Sequence, residues 1–501
     1  MDLNLPPLIQ ALLQPQAYPH KPVQVELVQT HISWVLLAGS YAYKIKKPLK
    51  LSFLDFSTLD LRHARCLDEL RLNQRFAPQV YLDVVSIYRG PNGPCFEPLG
   101  EPVEYAVRMR RFDESARLDH VCARGELTPQ HLSALAQTLD DFYAHAERVA
   151  PVSQWGTPAQ ALNYALDNFP DLRRVLDAAA SQATLNALQH WTQQQFDALQ
   201  PLMQARRQGG WVRECHGDLH LGNLVLLDDQ VCPFDCIEFS DALRWIDVLS
   251  DLAFTYEDLL AHCQPGLACW FINELASCLG FYPSAALLRF YAVYRCLVRA
   301  KVAAIRVQQT GEDASPVRAQ VALAQRLVAP PALRLTVTHG LSGCGKTWLT
   351  DRLLQSSGDG NTLRLRADVQ RKRLFGLEPL ARSSSALNSG LYAPDAHRRT
   401  YDHLRETAAS LLGAGWSVVV DATFLRRTDR DAFRNLAHER GAQFGILAPQ
   451  ASPEQLRARI QARQVLGRDA SEATLEVLAQ QMRQLEPLTD DEKRMLVSVK
   501  G

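Results

Sequence analysis

The stretch Arg213–Phe239, RECHGDLHLGNLVLLDDQVCPFDCIEF, decides how this chain is read. Asp218, Asn223 and Asp235 punctuate two short apolar runs, LVLL and VCPF, which Asp228, Asp229 and Gln230 separate. Two apolar runs around a polar turn predict a tight hairpin. That hairpin brings Asn223, at the base of its first strand, near Asp235, at the end of its second. An amide oxygen and a carboxylate, with phosphate oxygens completing the shell, suit magnesium. Asp218 stands on the preceding loop, where a carboxylate can accept the proton of an attacking hydroxyl. Phosphoryl transfer needs this division of labour, a metal to neutralise charge and a base to orient the nucleophile. Among the neighbouring polar residues, His216 reads as a histidine bonded to backbone. His220 reads as packing or solvent-facing, and Asp247 and Asp251 as braces of the loop.

Working outward towards the N-terminus, such a site needs a cation for a triphosphate. The run ISWVLLAGSYAYKIKK, residues 32–47, predicts two strands around a turn at Gly39. Its second strand puts Ala42 and Lys44 on one face. Leu61, Ala64, Leu67 and Leu70 form a helical stripe over 59–76, and Glu69 on that helix is the expected partner of Lys44. Lys46 shares the face of Lys44 and is the reserve candidate. EYAVRM, 104–109, reads as a further strand, and beyond 127 the pattern is almost entirely helical. Residues 1–327 thus read as a strand-rich small lobe followed by a helix-rich large lobe.

In this order, a glycine hairpin, an Ala-x-Lys strand, a glutamate helix, an HGDxxxxN loop and an Asp at the metal position, residues 1–327 resemble the aminoglycoside phosphotransferase and protein-kinase-like fold. The resemblance implies a bilobal α+β domain that binds ATP and Mg2+. Asp218 would be the catalytic base, Asn223 and Asp235 the metal ligands, and Lys44 paired with Glu69 over ATP. Adenine would lie against Met109 to Arg111. Two departures stand out: the phosphate-covering loop has Gly39 alone, and the metal triplet is Asp-Cys-Ile.

A second polar interruption follows. Gly340-Leu-Ser342-Gly343-Cys344-Gly345-Lys346-Thr347 comes after a strand and opens a helix, the context a P-loop requires. Its amides can curl around phosphate oxygens at a helix N-terminus, with Lys346 on the phosphates and Thr347 on magnesium. VVVDAT ends a strand at Asp421, a second magnesium candidate, because ligands gather at the carboxyl ends of parallel strands. LRLRADVQRKRL ends another strand at Asp368, with Arg371 one helical turn on. An acid for a hydroxyl proton and an arginine for an anion make a kinase site rather than a simple ATPase site. Arg459 and Arg463 lie four apart on one helical face and could close as a lid. Residues 334–501 alternate strand and helix, which predicts an α/β parallel sheet. They resemble the P-loop kinases related to polynucleotide 5′-kinase and zeta toxin. That resemblance implies Asp368 as base, Arg371 as acceptor-side anion holder and a late arginine as lid. The segment between Arg371 and Arg399, with Leu391, Tyr392, His397 and Arg398, has no reading.

Composition bounds the rest. The chain has 501 residues, with 54 Lys plus Arg balancing 54 Asp plus Glu, so its overall field predicts no polyanion partner. The eleven cysteines contain no CxxC pair and read as reduced thiols of a cytoplasmic protein. The first residues lack the basic and apolar regions of a signal peptide. The apolar segment 281–305 carries Arg289, Arg295, Arg299 and Lys301, so it reads as a buried helix and not a membrane span. Ala329-Pro330-Pro331-Ala332 marks a stiff linker, placing the domain division at 328–333.

The leading expectation is a two-domain ATP-dependent phosphotransferase acting on small or medium hydroxyl-bearing acceptors. One alternative makes the C-terminal part a nucleic-acid 5′-hydroxyl kinase, with Arg366, Arg371, Lys372 and Arg373 contacting phosphates. No run of aromatic residues and no basic excess accompanies that cluster. Another alternative is a nucleotide-gated binding protein, which the two candidate bases Asp218 and Asp368 argue against.

Overall fold

The computed structural model describes residues 5–51, 54–91, 93–329, 331–377, 394–466 and 473–499. The chain falls into two compact units. The first comprises Met1–Leu127, Asp141–Gln160 and Gln204–Thr255; the second comprises Thr128–Asp140, Ala161–Met203 and Tyr256–Gly501.

The first unit is built on a six-stranded antiparallel sheet. Its order is Val25–Gln29, Ser33–Ala38, Tyr41–Lys46, Pro102–Arg110, Tyr81–Gly90 and Gly93–Cys95. The strand expected at 104–109 is thus central, beside the lysine strand, with Ala42 opposite Met109. The helix Leu59–Gln74 packs on this sheet, and the Thr58 hydroxyl caps it by accepting from Leu61 N–H at 3.2 Å. Its buried face is not the expected leucine stripe. Ala64 and Leu67 are exposed, whereas Arg62, Cys66, Glu69, Leu72 and Asn73 are buried. The face turned inward mixes apolar Cys66 and Leu72 with polar Arg62, Glu69 and Asn73, Leu70 of the stripe packs partly buried against the core, and Glu69 supplies a charge to a buried network, described below. The expected hairpin is present: Leu224–Leu227 pairs antiparallel with Gln230–Pro233. Its turn residues Asp228 and Asp229 both have positive φ, 48° and 61°, as a two-residue turn matched to strand twist requires.

The second unit carries a four-stranded parallel sheet in the order Thr362–Arg366, Ser417–Asp421, Arg334–Thr338 and Gln443–Leu447. Helices Lys346–Gln355, Pro394–Gly413 and Arg427–Glu439 connect its strands, as the alternating pattern predicts. One boundary differs. The strand holding LRLR stops at Arg366, so Asp368 does not end it; Asp368 lies in the first turn of helix Ala367–Leu374.

Helices Pro265–Leu279, Ala285–Thr310 and Ser315–Val328 belong to this same unit. Asn273 acts as an artificial strand along the open edge of Thr362–Arg366. Its Nδ2 donates to Thr362 O at 2.7 Å and its Oδ1 accepts from Arg364 N–H at 2.6 Å. The pairing satisfies an edge that would otherwise expose backbone groups. The apolar segment near 281–305 is the expected buried helix: Arg289 and Arg295 are buried on it. Arg289 donates to Leu327 O, Asn361 Oδ1 and Gly415 O at 2.7–2.8 Å. Among the described residues no helix is long and apolar enough to cross a membrane.

Candidate active sites

The first site grows from the HGDLHLGN loop. His216 is fully buried, and its Nε2–H donates to Phe234 O at 2.8 Å while its Nδ1 accepts from Asp218 N–H at 3.3 Å. Burial lowers its pKa and keeps the ring neutral. Asp251 accepts from His216 N–H at 3.1 Å, Gly217 N–H at 2.8 Å and Tyr143 Oη–H at 2.8 Å. Asp247 is held by Arg206 at 2.7 and 2.8 Å. Both aspartates therefore brace structure, as expected. This scaffold presents Asp218 at the surface of the loop. Asn223 donates Nδ2 to Asp218 O at 2.9 Å and to Asp218 Oδ2 at 3.1 Å. With its nitrogen so engaged, the Asn223 amide oxygen is the atom left to face a ligand. His220 packs edge-on against Phe254, with ring centroids 6.4 Å apart, and it does more than pack: its Nε2 lies 3.4 Å from Asp218 Oδ2, and it lines the adjoining cavity.

That cavity, about 910 Å3, holds Lys44, Asn223 and Asp235 in its wall. Val28, Val35, Leu37, Met109, Phe112 and Phe234 supply the apolar part, a surface suited to a flat base. Lys44 Nζ lies 2.7 Å from Glu69 Oε1 and is ion-paired with Asp235. Asp235 has φ +60°, a strained conformation for a non-glycine residue, here at the cavity wall. Lys46 is fully buried behind this wall and does not line the cavity, so the geometry leaves it no reserve role on a phosphate. It pairs instead with Glu69 Oε2 at 2.7 Å and with Glu238.

The expected phosphate-covering loop is also displaced. Gly39 turns at the end of the sheet where Arg111 N–H bonds Ser40 O, the Met109–Arg111 end. Lys44 pairs with Val35, and Val35 with Val28, so the turn beyond the Lys44 end is Thr30-His31-Ile32, which has no glycine. It is held by Thr30 Oγ1 accepting from Ser33 N–H at 2.9 Å and by Lys47, whose Nζ donates to Thr30 O at 2.6 Å and whose N–H donates to Ile32 O at 2.8 Å.

The second site is the P-loop. Gly343 and Gly345 have φ +85° and +101°. A Cβ on Gly343 would lie 3.1 Å from Leu456 O, so both the backbone angle and the neighbouring helix Pro453–Leu466 demand glycine there. Lys346 Nζ donates to Gly340 O at 3.1 Å and Leu341 O at 2.8 Å. Thr347 Oγ1–H donates to Asp421 Oδ2 at 2.8 Å, bringing the two expected magnesium residues together. Arg371 Nη1 donates to Asp368 Oδ1 at 3.1 Å, and both line one cavity of about 410 Å3 with Lys346, Thr347 and Asp421. Arg459 donates Nη1 to Gly343 O at 3.2 Å, over the loop. The side chain of Arg463 lies outside the described residues, as do Leu391 and Tyr392.

The P-loop amides are not all open, as the motif alone suggests. Ser342 N–H donates to Gln481 Oε1 at 2.8 Å, and Cys344 N–H to Leu341 O at 3.3 Å. Cys344 is held in an apolar cluster with Leu456, Ile460 and Leu478. Sequence reasoning missed Gln481 and the pair His397–Asp429, whose Nε2–Oδ2 distance is 3.5 Å, though all three line the cavity. The basic run at 397–399 was the single visible signal, and it does not disclose a cavity.

Both donor sets fit magnesium. Each offers hard oxygens, an amide with a carboxylate or a hydroxyl with a carboxylate, and leaves positions for phosphate oxygens. Among the described residues no cluster of three or more His, Cys, Asp or Glu competes as a metal site.

Residues 335–488 match the family model described as an AAA domain. Uncharacterized proteins of Mycobacterium tuberculosis and Mycobacterium bovis are 29% identical over 456 residues, 91% of this chain and 89% of theirs. Among solved structures, a choline/ethanolamine kinase family protein from Mesorhizobium loti has 12% identity and a TM-score of 0.40, covering 64% of this chain and 95% of that one. An amicoumacin kinase solved with AMP-PNP and Ca2+ has 13% identity and a TM-score of 0.40, covering 64% and 92%. A sugar kinase from Janibacter has 21% identity and a TM-score of 0.24, covering 33% and 83%.

Proposed function

From a chain that joins a kinase-like antiparallel sheet to a parallel-sheet P-loop domain, we propose a bifunctional ATP-dependent phosphotransferase. Each part, 1–327 and 334–501 joined through 328–333, moves a γ-phosphoryl group to a hydroxyl acceptor. The observation that carries the reading is the meeting of Lys44, Asn223 and Asp235 in one cavity wall beside Asp218. Lys44 holds the phosphates and Asn223 binds Asp218 so that its carboxylate faces the acceptor. Bound by Asn223 and Asp235, magnesium would neutralise charge on the phosphates. The acceptor oxygen forms a bond to the γ-phosphorus as the bond to the bridging oxygen breaks. Asp218 takes the hydroxyl proton and ADP leaves.

In the second part, Lys346 and the loop amides other than those of Ser342 and Cys344 hold phosphate, and Thr347 with Asp421 suit the metal. Asp368 takes the acceptor proton, Arg371 steadies an acceptor anion, and Arg459, which already reaches Gly343 O, closes as a lid. The test uses γ-labelled ATP, magnesium and a metabolite extract, with Asp218→Ala and Lys346→Ala beside the parent chain. Each substitution is expected to remove a different labelled product. Loss of all labelling in either variant overturns two independent sites.

A second reading for the C-terminal part, a nucleic-acid 5′-hydroxyl kinase, is favoured by Trp348. It is 62% exposed and lines the P-loop cavity together with Arg366 and Arg371, with Arg352 5.7 Å from its ring centroid, and an exposed aromatic ring can stack on a base. Labelled transfer to a 5′-hydroxyl oligonucleotide tests it.

A further inference from the structure

Five ionisable side chains meet at the wall of the first cavity: Lys44 and Asp235 line it, and Lys46, Glu69 and Glu238 lie behind it. Glu69 is the hinge of the group, giving Oε1 to Lys44 and Oε2 to Lys46, each at 2.7 Å. Lys46 has a second carboxylate in Glu238, which comes from a point 192 residues further along the chain. Lys46, Glu69 and Glu238 are almost wholly buried, at 0%, 0% and 2% exposure, while Asp235 lies at the cavity. Buried charges this close cannot be treated singly: removing one leaves its partner to find another. Without the Glu238 charge, Lys46 would draw wholly on Glu69. Glu69 would then hold Lys44 less firmly, leaving Asp235 as the stronger attraction for Lys44.

We propose that Lys46 and Glu238 are positioning residues for the nucleotide site. By satisfying Lys46, Glu238 leaves one oxygen of Glu69 for Lys44, so that Lys44 can leave Asp235 for phosphate and Asp235 is released to a divalent cation. The inference rests on the reading of this cavity as a Mg·ATP site. It also explains why two lysines on one strand face, indistinguishable by spacing, have different duties: Lys44 meets the ligand and Lys46 sets the charge on its partner.

The test measures binding of a fluorescent ATP analogue by the full chain in a Lys346→Ala background, which silences the P-loop, as magnesium is varied. Glu238→Gln keeps the volume and is expected to raise the magnesium concentration for half-maximal binding about fivefold or more. Lys46→Met combined with Glu238→Gln removes both charges, leaves Glu69 to Lys44 alone, and is expected to return that concentration to within about threefold of the parent. Lys46→Arg, which keeps the charge, is expected to bind like the parent. A purely structural brace would not give recovery on loss of a second partner.

An unchanged magnesium dependence in Glu238→Gln overturns the proposal, and so does a double variant no better than the single one. If the single variant fails to fold while the double variant folds and binds like the parent, charge balance is supported. If neither folds, the two residues serve the fold and the proposal is wrong. Lys44→Ala separates the premise from the inference: if it binds the analogue as the parent does, the nucleotide reading of the cavity fails instead.

Discussion

Glu69 carries an ammonium group on each oxygen in a fully buried position. Burial alone would raise its pKa, but Lys44 and Lys46 outweigh it and hold the carboxyl down at about 2, from an ordinary 4.5. A carboxyl depressed in the folded state contributes stability that is complete above its unfolded value and is lost as pH falls through the folded one. The first unit should therefore lose stability between pH 4.5 and about 2, and Glu69→Gln should flatten that limb in urea titrations across pH. An acid limb as steep in the variant as in the parent would refute the assignment. Glu238 moves the other way, raised by burial more than Lys46 lowers it, so it does not add to this limb. Asp218 makes a different demand. Asp218→Asn is expected to keep nucleotide affinity and lose about 100-fold or more of the transfer rate in the kinase-like part. Equal losses of binding and rate would point to a structural role.

The helix Leu59–Gln74 shows how an element can mislead when its job is polar. Its apolar residues at 61, 64, 67 and 70 suggest the inward face, yet Leu67 is 48% exposed and Leu72 fully buried. Leu67→Ala is expected to cost less than about 0.5 kcal/mol, and Leu72→Ala about 2–5 kcal/mol, by chemical denaturation. The reverse order would mean that the leucine stripe packs after all. The P-loop makes a second case. Its glycine at 343 is needed by the loop and also by helix Pro453–Leu466, which lies against it. Gly343→Ala should weaken nucleotide binding at the P-loop, which titration with a nucleotide analogue in a Lys44→Ala background can check, and should leave binding in a Lys346→Ala background unchanged.

On the scale of the molecule, the second unit does not begin at the strand Arg334–Thr338. Helices from Pro265 onward stitch themselves to its sheet through Asn273, Tyr282 and Arg289. Trp416 returns the connection by donating Nε1–H to Ala285 O at 3.1 Å. Arg289→Ala removes the cation from Leu327 O and Asn361 Oδ1, both on buried residues, and one of the two donors to Gly415 O, and is expected to cost about 3 kcal/mol. The loss should appear in the thermal transition that P-loop nucleotide binding protects, although residue 289 stands well before the P-loop in sequence. No change in that transition would show that these helices do not support the sheet.

The local geometry of both candidate sites was legible in the chain itself. GLSGCGKT and HGDLHLGN are contiguous, and short-range geometry dictates how they fold: glycines free the backbone, a strand precedes the P-loop, and two apolar runs around Asp228-Asp229 close a hairpin. The pairing of Lys44 with Glu69 was expected from the succession of an Ala-x-Lys strand and a glutamate helix, and not from periodicity, since the apolar stripe of that helix suggested a different inward face. Tertiary structure alone decided the rest. Lys44 and Lys46 are equivalent by spacing, and Glu238, folded back from 192 residues away, pairs with Lys46. Thr30–Ile32 rather than Gly39 lies at the Lys44 end because strand register sets which turn sits there. Gln481 reaches Ser342 across 139 residues. Local pattern specifies how each segment bends; which side chains share a buried charge depends on desolvation and pairing between segments distant in sequence, and those exist only once the chain has folded.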